Sequence, residues 1–121
     1  MTRRLAAILT LGILVAGATA VGAHAFLERA EPRVGSTVRT PPAQVRLWFS
    51  ERLEPAFSAV RVINETGQRV DKADSQVAPS APKQLRVSLP PLPAGTYRVF
   101  WRVLSVDTHV TEGDFTFRVA P

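Results

Sequence analysis

The sequence predicts an all-β fold: an antiparallel, immunoglobulin-like Greek-key sandwich or small barrel of about seven strands, preceded by a cleavable signal peptide. Three observations carry that prediction. After residue 25 apolar residues recur with a period of two, and no segment there shows a 3.6-residue stripe. Clusters of turn formers, "EPRVGS", "TPPAQ", "NETGQ", "APSAPK" and "PPLPAG", divide the chain at short intervals. An apolar run behind Arg3 and Arg4 opens the sequence, in the order expected of a secretory signal.

The leader comes first. Leu5 to Val21 is apolar apart from Thr10, Thr19, Gly12 and Gly17, and Val21-Gly22-Ala23 supplies small residues where a signal peptidase needs them. Residues 1–23 are therefore expected to be removed, leaving residues 24–121 as one domain that begins at His24. Cuts after Ala20 or Ala25 are the alternatives, and an uncleaved anchor is the competing reading, since a spanning helix needs ~17 to 25 apolar residues. The Arg pair also leaves twin-arginine export open.

The domain of 98 residues holds one core. Fifteen Lys and Arg, less Arg3 and Arg4, stand against ten Asp and Glu, so the charge falls from +5 to +3. The basic residues are scattered and form no run, which argues against nucleic acid as a partner. With no cysteine, an exported chain has neither disulfides nor a thiolate for a metal.

The strands follow in order. Val45, Leu47 and Phe49 alternate with Gln44, Arg46 and Trp48, as a half-buried strand requires. Residues 57–63, "FSAVRVI", are rich in β-branched side chains. Leu85, Val87 and Leu89 alternate next, then Tyr97, Val99, Trp101 and Val103 within the long stretch from Thr96 to Ser105, and finally Phe115, Phe117 and Val119. "LPAGTY", residues 92–97, resembles a tyrosine corner, in which the Tyr97 hydroxyl bonds back to the upstream backbone; a core aromatic with a solvated tip is the plainer reading. Trp48 and Trp101 read as core or sheet-face residues.

Few residues carry chemistry. The chain has two histidines, His24 and His109, and "SVDTH" places Asp107 two positions before His109. In extended chain, residues i and i+2 share a side, so a carboxylate and an imidazole can converge on one ion. A histidine at a chain start adds a free amine, which with its own imidazole Nδ1 closes a chelate ring. The resulting three nitrogens and one oxygen suit tetragonal Cu(II), and Zn(II) accepts the same donors. Standing alone, an Asp-x-His pair is more often a surface hydrogen bond.

"HAFLERAEPRVGS", "VRLWFSERLEPAFSAVRV", "LPAGTYRVFWRVLSVDTH" and "GDFTFRV" together resemble the CopC/PcoC copper-resistance proteins, from His24 to Val119. The resemblance implies a periplasmic or otherwise exported monomer that binds one Cu(II) ion and passes it to a CopD-like inner-membrane protein or sequesters it. It implies His24 as amine and imidazole donor, Asp107 as carboxylate donor and His109 as the second imidazole. Glu51, in "FSE", corresponds to a glutamate beside the metal that holds a ligand in position; the alternative is a solvated strand-end carboxylate. Two positions depart from the pattern. Thr108 stands where the family has glycine, so a turn needing positive φ there would have to differ, and Arg52 stands where proline is common.

The only methionine is Met1, so the mature chain is expected to lack the soft thioethers that select Cu(I). Two other functions compete: a small copper monooxygenase built on an N-terminal histidine, and a metal-free immunoglobulin-like interaction module. The first fits poorly with Asp107 beside His109 in so short a chain. A binding protein without catalytic activity is the expectation.

Overall fold

Every second residue of the long strands turns inward, and two four-stranded sheets close over one core in the computed structural model, which describes residues 24–121. The expected leader, residues 1–23, lies outside the described residues. The strands are β1 (Leu27–Glu31), β2 (Thr37–Val38), β3 (Gln44–Phe49), β4 (Ala59–Ile63), β5 (Gln76–Ala78), β6 (Ala81–Ser88), β7 (Gly95–Leu104) and β8 (Val110–Val119). One sheet has the order β1-β3-β6-β5 and the other β2-β8-β7-β4. Pairing is antiparallel except between β2 and β8, which run parallel.

The inward set is the apolar set. Val45, Leu47 and Phe49 of β3, Leu85 and Val87 of β6, Val60 and Val62 of β4, Tyr97, Val99 and Val103 of β7, and Phe115, Phe117 and Val119 of β8 are all buried. Each large apolar side chain so buried contributes about 1.5–3 kcal/mol, which is the driving force available to a domain without disulfides. The outward positions are polar. On one face the guanidiniums of Arg29 and Arg46 lie 4.6 and 5.2 Å from the Trp48 ring, and on the other Arg61 lies 5.0 Å from Phe100. Trp101 instead faces inward at the sandwich margin, edge-on to Phe49 at 5.1 Å between ring centres.

The tyrosine corner is formed. The Tyr97 hydroxyl donates to the Pro93 carbonyl at 2.5 Å, and the ring stacks on Phe117 at 5.5 Å. Elsewhere the elements are finer than the apolar pattern suggests. Residues 57–63 do not form one strand: Pro55–Phe57 is a short 3-10 turn, Phe57 is exposed, and the strand begins at Ala59. β6 starts inside "APSAPK", and β1, β2 and β5 are too short or too polar to show a period.

Register places one end of the sandwich. Leu27 at the start of β1 pairs with Phe49 at the end of β3, and Leu104 at the end of β7 pairs with Val110 at the start of β8. The segment after β3 joins these two ends. Leu53 bridges Ser105, the Glu54 amide donates to the Leu104 carbonyl at 2.8 Å, and the Val106 amide donates to the Arg52 carbonyl at 3.0 Å.

Candidate metal centre

His24 reaches this end because residues 24–26 are clamped to both sheets. Ala25 is fully buried, and its carbonyl accepts a hydrogen bond from the Thr111 hydroxyl of β8 at 2.8 Å. On the other side the Phe26 amide donates to Ser50 Oγ at 2.8 Å, and the Ser50 amide returns to the Phe26 carbonyl at 2.9 Å. The Ser50 hydroxyl also reaches the His24 carbonyl at 3.3 Å. A small, buried residue next to His24 thus fixes where an exposed imidazole must lie.

It lies against His109. The two ring centres are 4.7 Å apart and the planes cross at 69°, so nitrogens of both rings can face one ion. Residues 85 positions apart in sequence meet only because β1 and β8 belong to opposite sheets whose ends coincide here.

The β7–β8 turn presents the other donor. The Ser105 amide donates to the His109 carbonyl at 3.0 Å and the Thr108 amide to the Ser105 carbonyl at 2.9 Å. These bonds leave Val106, Asp107 and Thr108 as a three-residue loop, whose last residue ordinarily takes the left-handed conformation. Thr108 takes it, with φ +73°. The backbone demand of the hairpin thus overrides the preference of a β-branched side chain.

Within this turn Asp107 Oδ1 stands 3.8 Å from His109 Nδ1, with both side chains 43% exposed. The Ser105 hydroxyl donates to that same carboxylate oxygen. This hydrogen bond, with a smaller contribution from His109, holds the Asp107 carboxyl below the usual carboxylate range although desolvation opposes it. Asp107 is accordingly an anion at neutral pH.

The fit to a metal rests on one atom. His109 Nδ1 is buried and has no hydrogen-bond partner, a costly state for a polar atom unless something else occupies its lone pair. Its separation from Asp107 Oδ1 is shorter than two metal–ligand bonds of about 2.0–2.2 Å laid end to end, so one ion can be shared by both atoms. Among the described residues no three His, Cys, Asp or Glu side chains converge as a preformed cage. Glu51, half-buried just beyond β3, has no side-chain hydrogen bond or ion pair to either histidine.

Several contributors had no legible signal. Ser50, Thr111 and Ser105 are common residue types, and only their cross-sheet contacts reveal what they hold. Phe26, exposed, has its ring centre 6.2 Å from that of His24, and the exposed Val106 and Val110 flank the β7–β8 turn.

The model of one family, the CopC domain, matches residues 27–120. Copper resistance protein C of Escherichia coli is 40% identical over 121 residues, covering 93% of this chain and 94% of that protein. Copper transport protein CutJ of Bacillus subtilis (strain 168) is 32% identical over 98 residues, which are 80% of this chain but 18% of that protein. Among solved structures, CopC from Methylosinus trichosporium OB3b superposes with a TM-score of 0.72 at 36% identity, covering 81% of this chain and 95% of that one. PcoC, a methionine-rich copper resistance protein from Escherichia coli, gives 0.68 at 37% identity, covering 81% and 100%.

Proposed function

The chain belongs to the CopC domain family, and from that premise we propose that it is an exported Cu(II)-binding protein of the cell envelope. The observation that carries this reading is the buried, unpartnered Nδ1 of His109 beside the Asp107 carboxylate and the His24 ring. One ion per chain is held by the His24 imidazole and amine, Asp107 and His109. The amine exists only after cleavage behind Ala23. Glu51, next in sequence to the Ser50 that bonds the His24 carbonyl, is assigned the role of accepting from that amine.

Nitrogen and carboxylate donors favour Cu(II) over Cu(I). Unlike a methionine-rich relative, the mature chain has no methionine and so no thioether site for the reduced ion. The exposed apolar side chains of Phe26, Val106 and Val110, near the two histidines in sequence, suit a protein acceptor at this end. The protein sequesters copper or hands it to such an acceptor in the inner membrane. A binding role without turnover is sufficient for these parts.

The decisive measurement is the intact mass of the exported protein followed by electron paramagnetic resonance of its Cu(II) complex. A mass beginning at His24 and a tetragonal, nitrogen-rich spectrum are expected. One extra residue before His24 turns the amine into an amide and should abolish the high-affinity signal; an extended protein that binds as tightly as the mature one refutes the amine ligand. Imidazole and α-amino groups bind metal only when deprotonated, and titrate near 6.5 and 7.7–8.0 in model peptides. Copper affinity should therefore fall as pH drops from about 8 to 6, and a pH-independent affinity over that range contradicts the donor set.

A further inference from the structure

We propose that Ser105 is a positioning residue for the metal centre: its buried hydroxyl holds the Asp107 carboxylate and the His109 backbone so that both side chains meet one ion. Ser105 is fully buried, and with Ser58 it makes up the buried polar residues of the described core. The Ser58 hydroxyl has a structural use, accepting from the Leu104 amide at 3.2 Å. Ser105 needs a different account, because the backbone already closes its turn through Ser105 N to His109 O and Thr108 N to Ser105 O.

What the hydroxyl adds is aimed at the two ligand residues. It donates to Asp107 Oδ1, the carboxylate oxygen that faces His109 Nδ1, and the His109 carbonyl lies 3.3 Å away as a second, longer acceptor. Its lone pair faces the His109 amide at 3.4 Å. One donor therefore fixes the rotation of the carboxylate, while one acceptor fixes the residue that carries the imidazole. Oδ1 keeps a second lone pair for the ion. Without the hydroxyl an exposed aspartate at a loop tip is free to rotate, and the ion must first order it. Outer-shell partners of this kind typically contribute a factor of about 10 to 100 in metal affinity.

The proposal rests on the copper reading above, and a double-mutant cycle separates the two. Cu(II) affinities of the mature protein are measured by chelator competition, with electron paramagnetic resonance spectra of the same samples. Ser105→Ala should weaken binding about tenfold and shift the spectrum toward that of Asp107→Ala. In the Asp107→Ala background the same change should cost clearly less than in the unsubstituted protein, because only the link to the His109 backbone is left for it to remove. Ser105→Thr retains the hydroxyl and should keep a spectrum like that of the unsubstituted protein. Wild-type affinity in Ser105→Ala, or an equal loss with and without Asp107, overturns the positioning role, as does a Ser105→Thr protein that behaves like Ser105→Ala. If Asp107→Ala and His109→Ala themselves bind copper normally, the copper site is refuted and this role falls with it.

Discussion

Thr108 carries the β7–β8 turn in a conformation its side chain resists. Its Cβ and branched γ atoms crowd the backbone at φ +73°, at a cost of about 1–2 kcal/mol relative to a right-handed residue. The Thr108 hydroxyl bonded to the Asp107 carbonyl at 2.6 Å offsets part of it. Thr108→Gly removes the strain and adds about 0.5–1 kcal/mol of backbone entropy to the unfolded chain. The net expectation is a rise of a few degrees in melting temperature, read by thermal circular dichroism; a lower melting temperature means that the threonine is not strained. At this scale the candidate ligands were legible because histidine is rare here and Asp-x-His has a definite spacing. Ser105 and Thr111 were not, because hydroxyls are common in turns and strands and gain meaning only from a partner far along the chain.

Among the elements, β4 shows how an edge is kept from pairing with another chain. Its outward amides are capped by side chains: Val60 donates to Ser75 Oγ at 2.9 Å and Val62 to Asp71 Oδ2 at 2.8 Å. Burial pushes the Asp71 carboxyl up, but the Arg69 guanidinium and the Val62 and Ala73 amides outweigh it and leave it below the usual range. A lowered carboxylate contributes stability above its unfolded titration range and loses that contribution as pH falls through the folded value. Asp71→Ala should cost about 1–3 kcal/mol at pH 7 by stranding two amides. The difference from wild type in urea melts should shrink as pH falls below about 4; a gap that stays constant rules out the charge as its cause. On the sheet's inner margin Gly113 faces Trp101 across β8 and β7, and a Cβ there would stand 2.5 Å from the indole ring. Gly113→Ala should destabilise by about 1–3 kcal/mol and red-shift tryptophan emission as the ring is pushed toward water. Unchanged stability and emission show that the ring has room to move.

For the whole molecule, the sequence pattern carried the sandwich but not its full strand count. β3, β6, β7 and β8 each present a run of inward apolar residues, so their period survives on the page. β1, with Ala30 as its one buried residue, and the two- and three-residue β2 and β5 exist because neighbouring strands offer them hydrogen bonds. That tertiary origin is invisible to periodicity, as is the parallel join of β2 to β8. The two halves of the proposed metal centre differ in the same way. Asp107 and His109 sit at the tip of a local hairpin paired over ten positions, whereas His24 is brought in by a few contacts across the sandwich. The bond from Thr111 to the Ala25 carbonyl therefore acts as a latch on a short arm. When the arm peels away, the proposed site loses two of its four donors at once, while the hairpin and the core stay folded. Copper would then leave at the speed of a local fray, with no need for an acid pulse or a reductant. Thr111→Val, which keeps the shape and removes the latch, should quicken the stripping of copper by a chelator about tenfold and leave the melting of the metal-free protein within about 1 kcal/mol of wild type.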